Sequence, residues 1–290
     1  MIIRVEKCSS DTLQSLTRFV CQDHELMEQE SPHSTTTEVS RALGSMGNSW
    51  YVLTSERPIA LFKAEISGST ANVSRLCQDD STPLESVIAY LLEDLRRMKI
   101  TKLHVSVPLN QMDLFLAKGF EKDAVLVRFS RFPVETKMMP ILPLMNPTEK
   151  EIPTLSQLMY EAYRKTKDAY SDAKSTESVV RNIMSGGVGD YISNASFASG
   201  AFPNLVSACL LTRVSPAEAN VSQVFTHPLY RARGLATMGI SSAMNRLVKE
   251  GKGITRLTVW SQETHEVMKR LLDKMGFSQD RKLVEMTSSI

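Results

Sequence analysis

The sequence predicts an α/β (α+β) chain of two like domains, and three observations carry that prediction. Residues 224–236 (VFTHPLYRARGLA) read as a strand that runs through a turn into a helix. The tetrapeptide ANVS stands at 71–74 and again at 219–222, each time ahead of a helix-like segment, a strand and a Gly-Phe pair. Between the copies, residues 131–147 (RFPVETKMMPILPLMNP) hold Pro133, Pro140, Pro143 and Pro147, which exclude helix and mark a boundary.

At the junction, residues 219–226 mix β-branched and aromatic side chains as a strand does, and Pro228 closes it. Ile240, Met244, Leu247 and Val248 then recur at helical spacing until Gly251 and Gly253, so a helix starts near residues 233–236. The first amides of a helix have no intrahelical partner and carry the positive end of its dipole. The N–H groups of Ala232, Arg233, Gly234, Leu235, Ala236 and Thr237 can therefore point at one phosphate group. Gly234 lets the backbone come close, Ala236 keeps the next turn narrow, and Arg231 and Arg233 add positive charge at the rim. A nucleotide-like diphosphate suits this pattern.

The spacing Arg231-x-x-Gly234-x-Ala236 resembles the acetyl-CoA pyrophosphate loop of the GNAT superfamily of acetyltransferases, whose pattern is Arg or Gln, two residues, Gly, one residue, Gly or Ala. A strand at 254–260, a helix at 263–274 and Gly276-Phe277 follow in the family's order, so the resemblance covers about residue 148 to the C-terminus. It implies GNAT-like domains, each a mixed, mostly antiparallel central sheet flanked by helices, with acetyl-CoA as cosubstrate and no metal. It further implies that neighbouring central strands splay apart, leaving the backbone of Val224, Phe225 and Thr226 to pair with the pantetheine arm. His265 stands where the family often has an Asn that contacts the cofactor.

The two copies can be aligned throughout. Their offset is 148 at ANVS, 154 between Ile100-Thr101 and Ile254-Thr255, and 157 between Gly119-Phe120 and Gly276-Phe277. Most of the shortening in the first copy falls where the phosphate loop should be. There the chain reads CQDDSTPLES (77–86), with Asp79, Asp80 and Glu85 and no glycine, a composition that repels a diphosphate. The expected layout is a degenerate GNAT-like domain at 1–132, a Pro-rich linker at 133–147 packed across both domains, and an acetyl-CoA-binding domain at 148–290.

Composition agrees with this layout. A chain of 290 residues suits two domains, and the charge is −2 through Met145 and +4 after it, without the basic excess of a nucleic-acid binder. Cys8, Cys21, Cys77 and Cys209 show no metal-binding spacing and read as reduced thiols. No early apolar stretch resembles a signal peptide, and no apolar run approaches a membrane span. The expectation is a cytoplasmic protein, either a monomer with an intramolecular pseudo-dimer or a homodimer.

In the second domain the sequence predicts helices at 153–167 and 175–185, the latter with a partial capping signal at Ser175 and Ser178. Strands are expected at 191–192, 205–214, 221–226 and 257–260, and a final one at 282–286. The expected reaction is N-acetyl transfer to a primary amine by direct attack in a ternary complex, which needs a group to take the amine proton. Glu218 would accept it through a water, or is a solvated turn glutamate. His227 would act as a base, or shapes the turn before Pro228. Ser261 and Glu263 either line the site or cap the last helix, and Tyr160 and Tyr163 either touch the acceptor or pack. Counting back from Gly276, the family's usual acid, a Tyr, falls on Leu272, where a restored Tyr would place a phenol near the thioester sulfur provided the larger ring fits. The alternative reading is a noncatalytic acyl-CoA-binding or partner-binding protein.

Overall fold

The computed structural model describes residues 1–4, 7–9, 12, 16, 19–21, 50–79, 81–137, 140–166, 170, 172–201, 203–250 and 253–290. Expectations that fall on Asp80, Met138, Met139, Lys167 and Gly251 lie outside the described residues. In chain order the elements begin with β1 (Ile2–Arg4), β2 (Phe19–Cys21), β3 (Trp50–Thr54), β4 (Pro58–Ser67), β5 (Thr70–Asp79), α1 (Leu84–Arg97), β6 (Lys102–Pro108), α2 (Met112–Leu116) and β7 (Glu121–Arg131). There follow β8 (Leu144–Met145), α3 (Ile152–Tyr163), α4 (Ala173–Met184), β9 (Asp190–Tyr191), β10 (Phe197–Ala201), β11 (Asn204–Ser215), β12 (Glu218–Thr226), α5 (Leu235–Glu250), β13 (Arg256–Gln262), α6 (Glu266–Lys274) and β14 (Ser278–Ser289). The chain divides into two compact units: Met1–Leu126 with Gln262–Thr264 and Lys282–Ile290, and Val127–Ser261 with His265–Arg281.

In the first unit β1, β3, β4 and β5 pair antiparallel in that order, and β5 pairs parallel with β6. The far edge of β6 carries the C-terminal strand, with Leu283 opposite Pro108 and Ser289 opposite Lys102. Alternation explains why β14 fits there: Val284 and Met286 are fully buried beside Leu103 and Phe62, while Glu285 between them is only half-buried. Val87, Ile88, Leu91 and Leu95 form one apolar stripe of α1 and bury into the same core.

The second unit pairs β8, β10, β11 and β12 antiparallel and β12 with β13 parallel. β11 sends Ala208 and Leu210 to one face, where α3 and α4 cover them, and Cys209 and Leu211 to the other, against α5. Gly239 lets α5 come that close, since a Cβ there would meet the Cys209 Cβ at 3.0 Å. Burial pushes the Cys209 thiol up to about 12.

Several local expectations need correction. Asp172 caps α4, its carboxylate accepting from the Ser175 N–H at 2.7 Å and the Ser175 hydroxyl at 2.8 Å, so the Ser175 and Ser178 signal was displaced by three residues. A capping box does occur, at Thr148 and Glu151 ahead of α3. β10 was not expected, because FASGA offers small residues and no alternation. The final strand runs twelve residues rather than five. Cys77 is disulfide-bonded, so it is not the reduced thiol expected.

The Pro-rich segment is held on the second unit. Asn245 accepts from the Thr136 N–H at 2.6 Å and donates to the Thr136 carbonyl at 3.0 Å. Gly200 donates its N–H to the Pro143 carbonyl at 3.2 Å, and Asn146 donates to the Ser196 carbonyl at 2.8 Å.

Candidate functional site

The parallel ladder between β12 and β13 is short. It runs from Glu218 opposite Arg256 to Val221 opposite Val259 and then ends, although β12 continues to Thr226 and β13 to Gln262. The cause lies on the other side of β12. Against β11, Leu211 pairs with Val221 and Leu210 with Gln223, which leaves Ser222 as an extra residue. A bulge of this kind bends and twists its strand. Beyond it, residues 223–226 keep their pairing with β11, while among the described residues no strand pairs with their other edge. Val224, Phe225 and Thr226 lie on this half-paired stretch. Phe225 buries its ring against the α3 and α4 side, and Val224 packs toward α5.

The chain then turns. His227 accepts the Leu229 N–H on Nδ1 at 3.3 Å, and its carbonyl receives the Tyr230 N–H at 2.9 Å. Ala232 and Gly234 follow with φ of 60° and 77°, and α5 opens at Leu235. A Cβ on Gly234 would meet nothing nearer than Ile141 at 3.9 Å, so backbone conformation rather than crowding demands glycine here. Residues 228–234 are exposed, with Ala236 and Thr237 half-buried behind them. An exposed turn with left-handed residues ahead of a helix start is a backbone that can present N–H groups to an anion, so the residues present fit a diphosphate.

The two arginines behave differently. Arg231 turns back, donating to the Thr226 carbonyl at 3.4 Å and to the Ala162 carbonyl near the end of α3. Arg233 lies over the Tyr230 ring at 5.3 Å. His265 directly precedes α6, is exposed, and its side chain makes no capping hydrogen bond.

Glu218 is neither solvated nor in a turn. It is buried at the start of β12, 3.7 Å from Arg128 and 3.4 Å from Arg256, and it accepts from the Thr258 hydroxyl at 3.0 Å. Thr258 also lies 3.3 Å from Asn220 Oδ1, Asn220 donates to Ser222 at 3.5 Å, and the Ser222 and Thr212 hydroxyls are 2.8 Å apart. A polar row thus leads from Glu218 to the bulge. Sequence reasoning missed it, although the polar alternation of Glu218, Asn220 and Ser222 along one strand face was readable. Tyr163 donates to Gln223 Oε1 at 3.1 Å, and Glu263 pairs with Lys282 at 2.6 Å. Leu272 is fully buried in the core with Met244 and Val259. Its side chain packs there, so a Tyr at this position must fit a filled core before its phenol can approach the thioester sulfur.

Among the described residues no group of His, Cys, Asp and Glu could hold a metal ion, and no helix is long and apolar enough to cross a membrane. No family model and no curated sequence matches the chain. Solved structures do. A GCN5-related N-acetyltransferase from Sphaerobacter thermophilus is similar with a TM-score of 0.68 at 10% identity, over 99% of this chain and 95% of that one. A tandem GNAT protein from the clavulanic acid biosynthesis pathway, solved without acetyl-CoA, gives 0.68 at 13%, over 99% and 98%. The chain has the tandem GNAT fold. An acetyltransferase of the GNAT family from Colwellia psychrerythraea gives 0.59 at 10% identity, over 99% of each chain. Within the tandem GNAT fold the copies differ at the loop: eight residues separate Thr226 from Leu235, but four separate Asp79 from Leu84. Pro83, which has no N–H, precedes α1, and among the described residues no side chain caps that helix.

Proposed function

We propose that this protein is an acetyl-CoA-dependent N-acetyltransferase whose cofactor site lies in the second unit. The observation that carries the reading is the half-paired edge of β12 running straight into the exposed turn at Ala232 and Gly234. In it, Arg233, Gly234, Leu235, Ala236 and Thr237 hold the pyrophosphate through backbone N–H groups, and residues 224–226 offer backbone groups to the amide-bearing arm. His265 is a further proposed contact. Each such bond contributes about 1 kcal/mol net, so several are needed for useful affinity.

Acetyl-CoA supplies an activated acyl group as its thioester. The acceptor nitrogen attacks the carbonyl carbon, a C–N bond forms, the C–S bond breaks, and the thiolate leaves. Glu218 is the proposed proton acceptor, through a water, with the row of Thr258, Asn220 and Ser222 beside it and His227 the second candidate. No member of the row replaces the missing Tyr, so the thiolate takes its proton from solvent; a thiol of pKa about 8.5 is a tolerable leaving group.

Two observations favour a second reading, a noncatalytic acyl-CoA-binding protein: Leu272 is a core residue, and the Glu218 oxygens are already engaged by Arg128, Arg256 and Thr258. Calorimetric titration with CoA followed by an amine panel with acetyl-CoA separates them. Binding with turnover supports the enzyme, and tight binding without turnover supports the alternative.

A further inference from the structure

The first unit repeats the geometry of the second up to a point. Against β4, Ala64 pairs with Val73 and Lys63 with Arg75, so Ser74 is skipped as Ser222 is. The parallel ladder to β6 likewise ends at the preceding residue, Val73 opposite Val105. The bulge thus frees the edge of β5 beyond Ser74, as it frees the edge of β12 beyond Ser222.

The freed edge of β5 is taken. β2 lies antiparallel along it, with Phe19 opposite Asp79, Val20 opposite Gln78 and Cys21 opposite Cys77. Cys77 and Gln78 also pair with Leu61 and Ala60 of β4, so this end of β5 has a strand on each side. At the offset of 148 that relates the ANVS copies, Cys77 and Gln78 correspond to Phe225 and Thr226. These are the residues whose matching edge is half-paired in the second unit. Cys77 is in addition buried and disulfide-bonded, which fixes this stretch further.

We infer that the splayed edge of β5 is a strand-binding site whose occupant is this chain's own segment Phe19–Cys21. The site takes an extended peptide main chain where the second unit offers its edge to a pantetheine arm. The chemistry is that of strand addition, in which main-chain N–H and C=O groups supply the bonds. The first unit is thereby closed to the cofactor by a filled cleft, independently of its missing glycine and its acidic loop. The inference rests on the pairing within the first unit and stands whether or not the second unit transfers acetyl groups.

Hydrogen exchange on the full chain tests it. In the free protein, the amides of residues 77–79 that point away from β4 are expected to be protected, while those of 222–226 that point away from β11 exchange freely. Fast exchange at all of those β5 amides would overturn the inference. Replacing both Phe19 and Val20 by Pro removes a donor facing β5 whichever way the strand alternates, and should raise exchange at 77–79 by at least about tenfold without altering 222–226. Unchanged protection in that folded variant would equally overturn it. Saturating CoA should protect 222–226 and leave 77–79 as they were. If CoA protects 77–79 in the wild-type chain the inference falls, whereas if it protects neither stretch only the cofactor reading falls.

Discussion

Arg231 donates its guanidinium to the carbonyl of Ala162, tying the turn before α5 to the last turn of α3. The C-terminal carbonyls of a helix carry the negative end of its dipole, so this is a favourable place for a cation. It also directs the charge of Arg231 away from the proposed cradle at residues 232–237. Arg231→Ala should therefore weaken CoA binding by loosening the turn, roughly tenfold, with little change in salt dependence. Arg233→Ala removes a charge at the rim of the proposed diphosphate site, where it lies over the Tyr230 ring, and its loss should shrink as ionic strength rises and screening lengths fall below about 10 Å. Titrations of both variants at low and high salt check this, and identical salt slopes would contradict it.

The left-handed residues of the turn make an opposite pair of predictions. Gly234 sits at φ 77° with open space where a Cβ would go, so Gly234→Ala should cost about 1–2 kcal/mol of backbone strain without a clash. Gly234→Asp adds a like charge beside the phosphates and should reduce affinity much further. Ala232 already bears the strain at φ 60°, and Ala232→Gly should stabilise the fold by up to about 1 kcal/mol. Thermal melts with CoA titrations decide both. A destabilised Ala232→Gly would mean that its methyl has a packing role.

How far the sequence could be read depends on whether a signal was local. The strand, turn and helix at 218–250 announce themselves because Gly234, Pro228 and the stripe of Ile240, Met244 and Leu247 each act within a few residues. The ANVS repeat was legible as words, but its structural meaning was not: Ala219 and Val221 face the core while Ser222 is the bulge, a fact that depends on β11. β2 is three residues with no period to detect. The joining of β14 to β6 couples residues about 180 apart in sequence, and no window contains both. The ion pairs around Glu218 draw on β7, β12 and β13 for the same reason.

A pH test follows from the capping box before α3. Thr148 donates through its hydroxyl and its N–H to Glu151 at 2.7 Å each. The hydroxyl is the main cause holding the Glu151 carboxyl below its ordinary value, with burial opposing it. A depressed folded pKa stabilises above the ordinary carboxylate range, and that contribution is lost as pH falls through the depressed value. Thr148→Ala should cost about 1 kcal/mol at neutral pH, and the gap from wild type should narrow in acid. A gap independent of pH would mean that the hydroxyl acts without the carboxylate.

Leu272 tests packing against chemistry. Leu272→Phe and Leu272→Tyr both insert bulk into a filled core and should each cost about 1–3 kcal/mol. The phenol adds a buried hydroxyl without a ready partner, so Tyr should be the less stable by about 1–3 kcal/mol. Neither should raise turnover. Denaturant unfolding and single-turnover rates check the pair, and a Tyr variant faster than the Phe variant would place that hydroxyl near the sulfur after all.

Glu218 offers the sharpest division between the two functional readings. Its carboxylate lies among Arg128, Arg256 and Thr258, and Arg128 has a second partner in Asp280 at 2.9 Å. Glu218→Gln keeps the shape and a hydrogen-bond acceptor but removes the charge. Because Asp280 still compensates Arg128, and Arg256 is 41% exposed, the stability loss should stay near 1–3 kcal/mol rather than the 3–5 kcal/mol typical of an abandoned buried ion. If Glu218 takes the amine proton through a water, turnover per folded molecule should fall about 100-fold while CoA affinity holds, since general-base catalysis contributes at least that much. Retained turnover in a folded Glu218→Gln variant would reduce Glu218 to an ion-pair lock at the start of β12.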